Sequence, residues 1–159
     1  MKTVVNRGTR FLSAAILLIA FLGFGASAAT NNGTEISAAV MGGYDPVAYF
    51  ELHKPVRGSG FHTATYNGGT YLFANKKHKE KFQTNPSKYA PKFGGYCAYG
   101  VALGKKFYSD PTIWKIVNGN LYLNLDEKIQ SKWNEDIPGY IAKADGLWKE
   151  IEHKHPSAL

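Results

Sequence analysis

The chain has 159 residues, room for one ordinary domain with a single core, and no second domain is expected. Lys and Arg number 19 against 12 Asp and Glu, a formal net charge of +7, but the basic residues form no run, which argues against a nucleic-acid partner. A lone cysteine, Cys97, excludes an intramolecular disulfide, so the fold must rest on apolar burial, for which 3 Trp, 10 Tyr and 9 Phe supply the area.

Lys2, Arg7 and Arg10 precede an apolar stretch from Phe11 to Phe24, and Ala26-Ser27-Ala28 follows as an A-x-A cleavage site. That order predicts a secretory signal peptide over 1–28. The apolar stretch is shorter than the roughly 20 residues a membrane-spanning helix needs, so cleavage near Ala28 and a periplasmic or secreted location are expected, and an integral membrane protein is not. Removal leaves 131 residues with a balance of +4.

Residues 29–43 are small and polar and read as a flexible leader. Asp45 before Pro46 predicts a capped helix through about Phe50, since the carboxylate accepts from free amides while proline suits the first helical position. Lys54–Gly60 reads as a loop. From Phe61 to Ala74, β-branched and aromatic residues flank Asn67-Gly68-Gly69 and predict a β-hairpin. Asn75 caps a helix over Lys76–Thr84, ended by Asn85-Pro86. The glycine- and aromatic-rich stretch Phe93–Gly100 is placed as a tight turn entering a short helix.

Trp114–Val117 and Leu121–Leu125 flank Asn118-Gly119, a second hairpin, with Leu121, Leu123 and Leu125 alternating toward one buried face. Asp126 caps a helix carrying Ile129 and Trp133. Pro138 opens a last, amphipathic helix in which Ile141, Ala144, Trp148 and Ile151 fall at helical spacing. The expected fold class is therefore α+β: a small single domain, 44–152, of two β-hairpins each followed by a helix, with a C-terminal amphipathic helix and a polar tail over 153–159. The two hairpin-plus-helix units match at an offset of 51 residues, Asn67-Gly68 with Asn118-Gly119 and Phe82 with Trp133. Either they repeat one unit, or any hairpin before a capped helix would align this way.

Gly43-Tyr44-Asp45-Pro46-Val47-Ala48-Tyr49-Phe50, Tyr71-Leu72-Phe73-Ala74, Asn85-Pro86-Ser87-Lys88-Tyr89-Ala90-Pro91 and Gly94-Gly95-Tyr96-Cys97-Ala98 resemble the exported YHS-domain proteins, as do Asp110-Pro111 and Leu121-Tyr122-Leu123-Asn124. The resemblance implies a small metal-associated module. The chain departs from the metal-binding relatives where they carry thiolates: Ala48 and Ala74 replace two, and His78 stands at a third. The resemblance to the exported branch adds weight to a redox or ligand role for Cys97.

No C-x-x-C or H-x-x-x-H spacing is present, so a metal site could arise only from residues joined by folding. The candidate ligands are Cys97, His78 and His62, for copper or another transition metal; the other reading makes both histidines ordinary surface or capping residues. Cys97 is open to three readings: a packed hydrophobe, a reactive or ligating thiolate, or half of an intermolecular disulfide. No catalytic constellation is recognisable, and a role other than enzyme is favoured. The leading expectation is an exported YHS-type module that binds a transition metal, copper above all, or performs thiol-redox chemistry at Cys97. The alternative is a non-catalytic module whose tyrosine-rich surface binds a small ligand or another exported protein.

Overall fold

The computed structural model describes Met1 and residues 38–159. The expected signal peptide, beyond Met1, and most of the stretch read as a leader lie outside the described residues. Among the described residues no helix is long and apolar enough to cross a membrane.

The structure is α+β. In chain order it runs through a 3-10 turn Val40–Gly43, α1 (Pro46–Glu51), β1 (Ser59–Tyr66), β2 (Gly69–Phe73), α2 (Lys76–Thr84), α3 (Pro86–Tyr89), a 3-10 turn Lys92–Gly95, α4 (Ala98–Val101), β3 (Asp110–Val117), β4 (Asn120–Asn124), α5 (Glu127–Asn134) and α6 (Ile137–Ile151). The strands form two separate antiparallel hairpins, β1-β2 and β3-β4. Each turns at an Asn-Gly pair with positive φ at both residues, 46° and 75° at Asn67-Gly68 and 49° and 75° at Asn118-Gly119, as a two-residue hairpin turn requires.

The halves repeat one another in conformation as well as in order. Register slips between Ser59 and Thr63 in the first hairpin and between Asp110 and Trp114 in the second, again 51 residues apart. The helix caps correspond: Asn75 accepts from His78 N–H and Asp126 from Ile129 N–H. Ahead of each hairpin, Met41-Gly42-Gly43 and Phe93-Gly94-Gly95 run through three successive left-handed residues, a path that demands glycine wherever side-chain contacts do not hold another residue in place. The main chain then pairs alike, with Asp45 N–H donating to Val56 O and Cys97 N–H to Phe107 O. Such agreement in irregular features, beyond the generic hairpin and helix, supports a true repeat.

Three differences from the sequence reading stand out. Order begins earlier than Tyr44: the 3-10 turn lies within the stretch read as leader, and Met41 is buried. Pro86 opens the short helix α3 rather than only ending α2. β4 is buried on both faces, with Leu121, Tyr122, Leu123 and Asn124 all inside while Leu125 is exposed, because the shared core covers one face and α5 and α6 cover the other.

The core has three parts. Val47, Tyr71, Phe73, Phe82 and Tyr89 fill the first repeat. Phe93, Val101, Tyr122, Trp133 and Ile151 fill the second, beneath α6. Met41 and Tyr49 from the first meet Leu121 and Leu123 from the second in a shared cluster.

Candidate functional site

The start of each short helix carries the chemistry of its repeat. In the first, Asp45 caps α1 and is fully buried. Its Oδ1 accepts from Val47 N–H at 2.8 Å and its Oδ2 from Ala74 N–H at 2.9 Å. Oδ2 also lies 2.6 Å from His78 Nδ1 on α2. A carboxylate only accepts, so Nδ1 bears a proton and donates it to Oδ2. The His78 side chain is 9 % exposed. The pair therefore sets the orientation of the imidazole and ties α1, the end of β2 and α2 together.

In the second repeat Cys97 caps α4 and is 1 % exposed. Burial pushes its thiol up from the ordinary value, against the opposing pull of N–H groups from Gly100, Leu125 and Tyr99. Gly100 N lies 3.5 Å from Sγ, and Sγ lies 3.7 Å from Asn124 Oδ1. Asn124 is fully buried and its Nδ2 has no partner. Ile129 occupies the place on α5 that His78 occupies on α2.

The three candidate ligands thus belong to different settings. His62 sits half-buried in the irregular stretch of β1, His78 is held by Asp45, and Cys97 faces Asn124 in the other repeat. Among the described residues no three His, Cys, Asp or Glu side chains gather closely enough to hold a metal ion, so these donors do not fit a three-ligand site. The tail histidines stay exposed; His155 Nδ1 meets Ser157 Oγ and His153 Nε2 lies 3.2 Å from Glu152.

A cavity of about 330 Å³ opens where the two 3-10 turns meet, lined among others by Met41, Gly95, Tyr96, Tyr108, Ser109 and Pro111. Ser109 Oγ donates to Gly95 O at 2.6 Å, which fixes one wall. The Tyr96 and Tyr108 rings stand 5.9 Å apart and tilted by 39°, and Tyr108 is 75 % exposed. Behind Tyr96, the buried Lys106 lies 5.3 Å from its ring and 5.1 Å from that of Trp148, and donates to the carbonyls of Glu152 and Lys154 at 2.7 Å each. Lys106 therefore closes the C-terminal end of α6, where unpaired carbonyls favour a cation.

Sequence reasoning identified Asp45 as a cap but missed its pairing with His78, and it passed over Asn124 and Lys106. A charged or amide residue inside a segment whose neighbours are all core-forming was the available signal for Asn124. Compared with family models, with curated proteins and with solved structures, the chain matches none.

Proposed function

We propose that the protein is an exported, non-catalytic binding module of the YHS type that takes a small, flat, largely apolar molecule in the cleft between its two repeats. The cavity carries this reading. Its volume falls at the lower end of the roughly 300–1,000 Å³ of small-molecule sites, and its apolar walls with two tyrosines suit a flat ligand with a polar edge. Titration of the mature protein with a library of small aromatic compounds, followed by the tyrosine ring resonances, tests it. Binders should shift Tyr96 and Tyr108 first, and Tyr108→Ala should weaken them about tenfold, the loss of about 1.4 kcal/mol expected of one aromatic contact, without moving the unfolding midpoint. Compounds that bind while leaving both tyrosines unperturbed sink the reading.

A second reading, transition-metal binding with copper as the metal, is favoured by one observation. Asp45 holds His78 through Nδ1 in the manner by which carboxylates orient metal-ligating imidazoles, leaving Nε2 to bind. Copper titration of protein with His153 and His155 replaced by alanine should then give one bound ion, lost in His78→Ala. Undiminished binding in that variant rules it out.

A further inference from the structure

A second cavity, of about 260 Å³, shares only Gly94 with the lining of the tyrosine cleft. It forms where four pieces of chain converge. The first hairpin brings Tyr66 and Asn67, α3 brings Ser87, the turn Lys92–Gly95 brings Lys92, and α6 brings Asp145 and Trp148. The last two stand about one helical turn apart and so lie side by side. The makeup differs from that of the cleft. Two half-buried rings, Tyr66 and Trp148, are accompanied by an amide, a hydroxyl, an ammonium and a carboxylate. The indole is held in place, with the Phe93 ring 5.8 Å away and Lys106 Nζ 5.1 Å from its centre.

Lys92 Nζ and Asp145 Oδ1 face each other across 4.0 Å, with side chains 39 % and 52 % exposed. That gap exceeds the roughly 2.9 Å of a direct N–H···O bond, and an ion pair so exposed contributes little by itself. A hydroxyl oxygen set between the two reaches both, accepting from the ammonium and donating to the carboxylate. Ser87 Oγ, which donates to Asn85 Oδ1 at 3.0 Å, keeps its lone pairs for a second hydroxyl. The Asn67 amide can donate and accept. Because the charges of Lys92 and Asp145 oppose each other, the pair favours a ligand without net charge.

We propose that this cavity is a binding site for a neutral monosaccharide, one of whose hydroxyls bridges Lys92 and Asp145 while an apolar C–H face of the sugar lies against Trp148. A sugar carries both features the cavity calls for: a rim of hydroxyls, each donor and acceptor, and faces of C–H groups that pack on aromatic rings. A flat aromatic compound would leave Lys92 and Asp145 unmet. A simple alcohol would meet them but bring nothing to Ser87 and Asn67. This inference does not depend on the tyrosine cleft.

The mature protein is titrated separately with glucose, galactose, mannose and N-acetylglucosamine while the tryptophan indole N–H and tyrosine ring resonances are followed. One or more of the sugars should shift Trp148 Nε1–H saturably, while the fully buried Trp133 and the cleft residue Tyr108 keep their positions. Lys92→Ala and Asp145→Ala should each weaken that binding about tenfold, as expected for one hydrogen bond to a charged group, with unfolding midpoints nearly unchanged because both side chains are partly exposed. Cyclohexanol, a single hydroxyl on an apolar ring, should bind about tenfold more weakly than the best sugar. The proposal is overturned if none of the sugars shifts Trp148 saturably, if they shift Tyr108 in its place, if cyclohexanol binds as well as they do, or if both variants bind like the unsubstituted protein.

Discussion

Burial raises the Cys97 thiol above its ordinary value near 9, and the N–H groups of Gly100, Leu125 and Tyr99 offset only part of that rise. The folded chain therefore holds the proton more tightly than the unfolded chain does. The stability this contributes is complete below pH 9 and is lost as pH climbs toward and through the raised folded value. Urea unfolding midpoints measured at pH 8 and pH 10 should fall more for the unsubstituted protein than for Cys97→Ala, in which only the tyrosines and lysines still titrate. Equal falls would show that the thiol ionises as freely in the fold as outside it. The same burial predicts slow alkylation of the native protein and fast alkylation in urea, since the thiolate is the reacting species.

At the scale of elements, one buried carboxylate–imidazole hydrogen bond joins three pieces of the first repeat. Asp45 stands ahead of α1, accepts from the residue after β2 and holds His78 on α2. Asp45→Ala would strand the His78 Nδ1–H and the Ala74 N–H in the interior, each unmet donor costing about 1–3 kcal/mol, whereas Asp126→Ala, which removes an exposed cap, should cost about 1 kcal/mol. Denaturant unfolding of the two variants checks the contrast; equal losses would mean that Asp45 acts only as a cap. The caps and the Asn-Gly turns were legible in sequence because their hydrogen bonds span two or three residues. The Asp45–His78 contact was not, since its partners lie 33 residues apart and only the packing of α2 against α1 joins them. Asn124 was passed over for a related reason. Alternation predicts one buried face, but the second face of β4 is covered by helices placed by tertiary packing, which no local period records.

The two repeats are legible in the sequence as units, but their dependence on each other is not, because it rests on contacts between copies. Tyr49 of the first repeat packs edge-on against Trp114 of the second at 5.2 Å and donates its hydroxyl to Pro111 O at 2.8 Å. Around it Met41, Leu121 and Leu123 close a cluster to which each copy contributes side chains that it could not bury alone. A separate half would expose that cluster, and domains this small have little stability to spare. Unfolding should therefore be a single transition: Trp133 fluorescence, reporting the second repeat, and the His78 ring resonance, reporting the first, should change at the same urea concentration. Tyr49→Ala should lower both midpoints together, by about 3–5 kcal/mol in unfolding free energy as for other buried aromatic truncations. If the first repeat instead melted alone in that variant while Trp133 held its native signal, the shared cluster would be a contact between two independently stable units rather than the core that makes them one.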